Sequence, residues 1–98
     1  MIQGFRDRAS KDVFDGRDSK AARRRCPRRL WTVAKRKLDQ LNQAEQLADL
    51  GAPPANRLER LRGDRAGQHS IRINDQYRVC FRWTTAGPID VEIVDYHG

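Results

Sequence analysis

The final residues of the chain carry side chains that can move protons or contact a nucleotide. Asp95, Tyr96 and His97 follow an alternating apolar stretch over residues 89–94. A histidine with a pKa near ~6.5 can give or take a proton at neutral pH, and a tyrosine ring can stack on a base. We predict that this end of a strand forms part of a site, although a frayed polar tail would have the same composition.

Cleavage of RNA without a metal ion needs a base for the 2′-OH proton, a cation for the charged phosphorane and an acid for the leaving 5′-oxygen. In that order, the candidates are Glu59 or Asp95, Arg62 and Arg78, and His97 or Tyr96. A simpler interpretation is also open, in which Arg78 pairs with Glu92 and Glu59 pairs with a neighbouring arginine. The protein would then be a basic module that binds nucleic acid or protein without cleaving it.

The charge of the chain indicates a polyanionic partner. The net charge is +7, and residues 17–29 hold seven basic residues and one acidic residue, so that this segment carries +6 of the total. Because the segment has few apolar residues, we predict that core burial cannot hold it, that it is mobile in isolation and that it neutralises phosphates. A merely solubilising loop is the alternative. The residues expected to contact RNA are Arg23, Arg24, Arg25, Arg28, Arg29, Lys35, Arg57, Arg60 and Arg72.

Composition and length bound the class of protein. The 98 residues, 38% hydrophobic and 34% charged, fit one globular domain. No apolar run reaches the roughly 18 residues of a membrane span, and the first residues do not resemble a signal peptide. We therefore expect a cytoplasmic protein with no membrane partner, in which Cys26 and Cys80 are reduced. The spacing of histidines and cysteines predicts no metal site, and no cofactor motif is present.

The first half of the sequence predicts helices. Apolar residues at helical spacing indicate one helix over residues 7–15, which Gly16 can cap, and a longer one over residues 27–43. Leu47 and Leu50 predict a further helical turn that Gly51 closes. Residues 2–5 can form an edge strand.

The second half predicts strands over residues 57–62, 69–74, 77–83 and 89–94, with a hairpin in which Asn74 and Asp75 adopt positive φ. The predicted fold is α+β: a small single domain over residues 1–98 whose N-terminal helices pack on one face of a mainly antiparallel sheet. The apolar row expected to meet the helices is Ile71, Ile73, Tyr77, Val79, Phe81, Trp83, Ile89, Val91 and Ile93. The other face is then polar and largely basic, with Arg72, Arg78, Arg82 and Glu92.

Three stretches together resemble HigB-type toxins, the plasmid maintenance killer branch of the RelE/ParE superfamily. They are the Leu-Arg-Gly-Asp-Arg-Ala-Gly run at residues 61–67, the Asp-Gln-Tyr-Arg hairpin at residues 75–78 and the terminal Asp-Tyr-His at residues 95–97. The resemblance covers nearly the whole chain and implies a RelE/ParE-like fold. It implies a ribosome-dependent mRNA endonuclease, neutralised by a HigA antitoxin with a helix-turn-helix domain. Operator DNA would then be reached only through the antitoxin.

The resemblance also implies residue roles. Arg78 corresponds to the transition-state arginine of the family, and Arg62 to a cation near the scissile phosphate. Asp95, Tyr96 and His97 resemble the terminal catalytic group. The chain departs from some HigB relatives at Glu59, where they have a histidine, and is similar there to the YoeB branch, in which a glutamate is the base. Glu59 as base and His97 as acid follow, with Asp95 as a competing base.

Two other functions stay open within this superfamily. A ParE-like toxin inhibits DNA gyrase by binding and cleaves nothing. A catalytically weak toxin would act mainly as a corepressor bound to its antitoxin. The presence of Arg78 and His97 together argues against the first, whereas Glu59 in place of a histidine leaves the second open.

Overall fold

The computed structural model describes residues 1–96 and places helices over one face of a four-stranded antiparallel sheet. The α-helices are α1 (Arg8–Asp15), α2 (Lys20–Arg25) and α3 (Trp31–Gln43). The strands lie side by side in the order β1 (Glu59–Arg60), β2 (His69–Arg72), β3 (Tyr77–Thr84) and β4 (Gly87–Asp95). Short 3-10 helices at Arg28–Leu30, Leu47–Gly51, Pro54–Asn56 and Gly63–Arg65 lie between them. This arrangement confirms the predicted α+β class. Within the described chain, no helix has both the length and the apolar character needed to cross a membrane.

The first two helices begin at side-chain caps and are tied to each other. The Asp7 carboxylate accepts a hydrogen bond from the Ser10 N–H at 2.7 Å, and Gly16 ends α1 in the left-handed region at φ 74°. Ser19 caps α2 and also donates its hydroxyl to the buried Asp12 carboxylate at 2.7 Å. The cap of one helix is therefore a hydrogen-bond donor to the other.

The basic segment over residues 17–29 is built differently from its prediction. It contains α2, and Ala22 and Cys26 are both fully buried. The prediction that core burial cannot hold this segment is therefore wrong. Two small apolar residues four positions apart lie on one face of a short helix and are enough to pack that face against the core. The mobility of the segment stays a prediction.

Helix α3 supplies the centre of the helical layer. Its buried residues Ala34, Leu38 and Leu41 recur at helical spacing and face the sheet core, and the Trp31 indole N–H donates to the Cys26 carbonyl at 2.8 Å. The buried side chains that the sheet contributes to this core are Ile71, Ile73, Tyr77, Val79, Phe81, Val91 and Ile93.

The predicted edge strand over residues 2–5 is reduced to a single parallel bridge between Phe5 and Val91. The Val91 N–H donates to the Gly4 carbonyl at 3.2 Å, and the Gln3 N–H donates to the Pro88 carbonyl at 2.8 Å. The N-terminal segment therefore covers the outer edge of β4, which protects that edge from pairing with another chain.

One residue of the predicted apolar row lies on the other face. A bulge interrupts the pairing of β3 with β4, so that Ile89 pairs with Arg82 while Glu92 pairs with Cys80. Asp90 occupies the left-handed region at φ 52°. Because the bulge inserts an extra residue, Ile89 shares a face with Arg82, and simple alternation from Val91 places it on the wrong side.

Two other details of the sheet differ from the prediction. Strand β1 spans only Glu59–Arg60. The turn between β2 and β3 does not place Asn74 or Asp75 at positive φ. Instead, the Asn74 side-chain oxygen accepts the N–H groups of Gln76 and Tyr77 at 2.9 and 2.7 Å, which stabilises the turn without left-handed residues.

Candidate active site

The face of the sheet away from the helices carries the candidate chemistry. Residues that pair directly across antiparallel strands project to the same side. The register pairs Glu59 with Ser70, Ser70 with Cys80, and Cys80 with Glu92, which makes one row across all four strands. Ile71 and Val79 alternate with this row and enter the core. The row therefore lies on the outer face, as the sequence pattern indicates for Glu92.

Arg78 is the centre of that face. Its Nη2 lies 3.6 Å from Glu59 Oε1, and its Nη1 donates to the Ser70 hydroxyl at 3.5 Å. Its guanidinium carbon lies 5.3 Å from the centroid of the Tyr96 ring, which is a cation–π contact. The Arg78 side chain is 17% exposed and that of Glu59 is 51% exposed. An anchored cation and an accessible carboxylate thus lie side by side.

The neighbouring elements explain these positions. Glu59 and Arg60 form β1 as an exposed pair, and the buried Leu61 follows them and fixes the chain against the domain. Tyr96 lies just after β4, where its N–H donates to the Gln76 carbonyl at 2.6 Å. The β2–β3 turn therefore holds the backbone of Tyr96, and the Tyr96 ring lies beside Arg78. The residue as a whole is 39% exposed.

Arg62 lies on the loop that follows β1. Its carbonyl accepts the Arg65 N–H at 3.2 Å, which closes the short 3-10 helix Gly63–Arg65. Its side chain is exposed and has no ion pair within residues 1–96. Its guanidinium is accordingly available to an external anion.

A second ion pair closes this loop onto the sheet. Arg65 Nη1 lies 2.8 Å from Glu92 Oε1 and 3.1 Å from the Gln68 side-chain oxygen. The hydrogen bond to Glu92 raises the pKa of Arg65, and Glu92 itself is nearly buried. Glu92 therefore pairs with Arg65, and more distantly with Arg6 at 3.8 Å, rather than with Arg78 as the simpler interpretation of the sequence proposed.

The sequence gives no signal for the choice between these partners. Of the two, the sequence pattern places only Arg78 on the same face as Glu92, and the folded loop brings Arg65 to Glu92 instead. The thiol of Cys80 lies in the same row, and burial raises its pKa to about 11, so that it is protonated at neutral pH.

Asp95 lies on the other face from Glu59. It pairs across the sheet with Tyr77, whose side chain belongs to the helix-facing core. The Gln76 side-chain N–H donates to Asp95 Oδ2 at 3.1 Å, and Asp95 borders a groove beside Arg24 and Arg25. The structure thus brings Glu59 close to Arg78 and places Asp95 elsewhere. His97, the candidate acid, lies outside the described residues.

A comparison with known families matches this chain to a RelE-like toxin of type II toxin–antitoxin system HigB, over residues 3–97. The chain belongs to the HigB-like toxin family. It is therefore a toxin of a type II toxin–antitoxin system, whose partner is an antitoxin. The family resemblance that the loop, the hairpin and the terminal Asp-Tyr-His indicated is confirmed.

Two curated proteins are similar in sequence to this chain. Toxin HigB-1 of Vibrio cholerae serotype O1 is 38% identical over 83 residues, which cover 85% of this chain and 84% of that protein. An uncharacterised protein of Haemophilus influenzae is 41% identical over 59 residues, or 60% of this chain and 58% of that protein.

The basic segment of this HigB-like toxin is partly neutralised by its own carboxylates. Arg23 and Arg28 lie 2.6 and 3.6 Å from the Asp18 carboxylate, and the first of these contacts lowers the pKa of Asp18 most. Arg25 pairs with Asp7 at 3.2 Å and donates to the Ile93 carbonyl at 3.5 Å, so that it joins α2 to α1 and β4.

The other predicted RNA contacts are dispersed over the surface. Arg24, Arg29, Lys35 and Arg60 are exposed and make no ion pair within the described part of the chain. Arg57 and Arg72 line a separate groove, where Arg72 pairs with Asp75. Among residues 1–96, four of the predicted RNA contacts have a counter-charge, namely Arg23, Arg25, Arg28 and Arg72. Four others have none there, namely Arg24, Arg29, Lys35 and Arg60.

Proposed function

We propose that this HigB-like toxin is a ribosome-dependent mRNA endonuclease that works without a metal ion, by attack of the 2′-OH on the adjacent phosphodiester. The observation that carries the proposal is the Glu59–Arg78 pair, 3.6 Å apart on the outer face, with the Tyr96 ring against the same guanidinium. A candidate base and an aromatic ring that both contact one cation match the needs of phosphodiester cleavage by 2′-OH attack.

In the proposed mechanism, Glu59 takes the proton of the 2′-OH. Its carboxylate is 51% exposed and can reach a substrate hydroxyl, and it lies 3.6 Å from the Arg78 guanidinium. Asp95 is the competing base, and its pairing with Tyr77 on the helix side supports Glu59 in preference.

Arg78 stabilises the charge that develops on the phosphorane. Ser70 and Tyr96 hold its guanidinium in place before the substrate binds, so little reorganisation is needed at the transition state. Arg62, exposed on the neighbouring loop, adds a second cation near the phosphate. Tyr96 orients the nucleotide by stacking, and His97 protonates the leaving 5′-oxygen.

The antitoxin is proposed to be a HigA-like protein with a helix-turn-helix domain. Contact with operator DNA would then belong to the antitoxin. This proposal rests on the family alone.

The test compares wild type with Arg78→Ala, Glu59→Gln, Asp95→Asn and His97→Gln. Growth after expression and mRNA cleavage on translating ribosomes are measured for each. Loss of the transition-state cation should reduce cleavage by about 10² or more. Glu59→Gln should be similarly impaired, whereas Asp95→Asn should retain most of the activity.

Two results would overturn parts of the proposal. If Arg78→Ala and His97→Gln remain as toxic as wild type and no mRNA is cut, a ParE-like inhibitor of gyrase becomes the better description. If Asp95→Asn abolishes cleavage and Glu59→Gln does not, Asp95 is the base.

A further inference from the structure

A basic groove lies beside the candidate active site and includes Arg57 and Arg72, two of the predicted RNA contacts. It measures about 490 Å³ and lies between α3, the 3-10 helix Pro54–Asn56 and the β2–β3 turn. Its basic lining consists of Arg36, Lys37, Arg57 and Arg72, and none of its lining residues is acidic. A concave surface with one sign of charge concentrates ions of the opposite sign.

Lys37 is the unusual member of this group. The residue is 6% exposed, and its ammonium donates to the Asn56 side-chain oxygen at 2.5 Å. The Asn56 side-chain nitrogen donates to the Gln40 side-chain oxygen and the Leu50 carbonyl at 3.1 and 3.0 Å. These two bonds orient the amide so that its oxygen faces Lys37. An ammonium has three N–H donors and the hydrogen bond to Asn56 uses one of them, so Lys37 can donate further to a ligand.

The charges around Lys37 repel one another in the free protein. Burial, and then the nearby Arg36, lower the pKa of Lys37. Asp75 offsets Arg72, but within residues 1–96 neither Arg36 nor Arg57 has an ion pair. A bound anion would relieve this repulsion, and arginine forks suit phosphate oxygens.

The groove is continuous with the outer face of the sheet. Arg72 pairs directly with Arg78 across β2 and β3, so their side chains project to the same side at neighbouring positions. Arg57 lies two residues before Glu59 and is held at φ 44° after the Pro54–Asn56 helix, where its N–H donates to the Pro54 carbonyl at 3.2 Å. A strand that passes Arg78 can therefore continue past Arg72 into the groove.

We propose that the groove formed by Arg36, Lys37, Arg57 and Arg72 binds the phosphate backbone of the RNA strand that flanks the cleaved bond. The identity of the polyanion as RNA rests on the proposed function. Arg72 lies beside Arg78 in the sheet and also lines the groove, so it connects the candidate active site to the groove.

The test measures binding of a labelled single-stranded oligouridylate to the full chain across a range of salt concentrations. The variant Arg36→Gln/Arg57→Gln removes two exposed charges from the groove, and Arg8→Gln/Lys11→Gln removes two exposed charges from α1 as the matched control. Each lost contact to a single strand should reduce the slope of log K against log salt by about 0.7. The groove variant should therefore lose about 1.4 in slope, and the control should keep the wild-type slope to within the measurement error.

Unchanged RNA binding by the groove variant would overturn the proposal. A polyglutamate peptide of equal length serves as a second probe: if the groove variant weakens binding of the peptide alone, the groove fits an acidic protein segment instead. Arg78→Ala separates the two proposals, because it should abolish cleavage on ribosomes while it leaves the difference between the groove variant and its control intact.

Discussion

The position of Arg78 bears on the phosphodiester cleavage proposed for the outer face. Arg78 lies between Glu59, Ser70 and Tyr96, and its side chain is mostly shielded from water. A guanidinium that is already fixed loses less side-chain entropy when it binds a phosphate than a free surface arginine does. Arg78 is therefore suited to charge that appears only briefly, in a transition state.

His69 gives a residue-scale prediction about stability. Its Nδ1 is buried and accepts no hydrogen bond within the described residues, and burial, followed by the charge of Arg60, lowers its pKa below the usual 6.5. The unfolded chain therefore binds a proton at a higher pH than the folded chain does. The stability that neutral His69 provides is complete above the unfolded pKa of about 6.5, and it is lost as the pH falls through the lower folded pKa.

Thermal unfolding at pH 7.5 and pH 5.0 tests this for wild type and His69→Gln. The melting temperature should decrease more between pH 7.5 and pH 5.0 for wild type than for the variant. All other ionisable groups are the same in both proteins, so their effects cancel in the comparison. Equal losses would mean that His69 is protonated in the folded state without cost.

The candidate site also shows what residue types can and cannot predict. Residue chemistry and the family motifs predict roles for Glu59, Arg62, Arg78 and Tyr96, and the structure brings Glu59, Arg78 and Tyr96 together. The sequence leaves the choice between Glu59 and Asp95 open because that choice depends on strand register. A shift of one residue moves a side chain to the other face, and the cross-strand partner that fixes the face is not visible in a local pattern.

At the scale of elements, the β3–β4 hairpin shows why alternation alone fails. The bulge beside Cys80 and the left-handed Asp90 move Ile89 out of the core row, although its sequence spacing from Val91 fits that row. The start and end of α1 were predictable, because Asp7 and Gly16 are local signals. The packing of α2 on the core is not predictable from local signals, because it depends on how Ala22 and Cys26 contact residues that are distant in sequence.

Gly87 at the start of β4 gives the element-scale prediction. Its φ is 129°, and a Cβ at this position would lie 2.3 Å from the Met1 carbonyl oxygen. Gly87→Ala therefore forces both a disfavoured backbone conformation and a displacement of the N-terminal segment. The expected loss in the free energy of unfolding is about 2 kcal/mol or more, measured by urea denaturation.

Gly4→Ala is the matched control for this prediction. A Cβ at Gly4 would meet no heavy atom within 4 Å, and its φ lies outside the left-handed range. Its effect should stay within about 0.5 kcal/mol. If the two variants are equally stable, the contact between the β3–β4 turn and the N-terminal segment does not hold in solution.

At the scale of the whole molecule, the distribution of charge matters more than its sum. The net charge is +7, yet Asp18 engages Arg23 and Arg28, whereas Arg24 and Arg29 make no ion pair within residues 1–96. Arg25 also connects three elements, so its removal would mix an effect on folding with an effect on binding. A test of the basic segment must therefore leave Arg25 in place.

Two double variants separate long-range attraction from local contact in the proposed binding to ribosomes. Arg24→Ser/Arg29→Ser and Arg23→Ser/Arg28→Ser each remove two positive charges, so the loss of long-range steering should be similar in both. Arg23 and Arg28 must leave Asp18 to reach a phosphate, while Arg24 and Arg29 need not. The first variant should therefore lose more of the salt dependence of ribosome binding, by about 1 in slope for each phosphate contact.

The melting temperature of both variants provides the control, because Arg28 also lies 4.6 Å from the centroid of the Trp31 ring. Each variant must unfold cooperatively for the comparison to hold. A small decrease in melting temperature is expected only for Arg23→Ser/Arg28→Ser. Equal salt slopes for the two variants would show that the segment acts through net charge alone. A flatter slope confined to Arg24→Ser/Arg29→Ser would assign the phosphate contact to Arg24 and Arg29, which make no ion pair within residues 1–96. Composition alone does not distinguish these two arginines from Arg23 and Arg28.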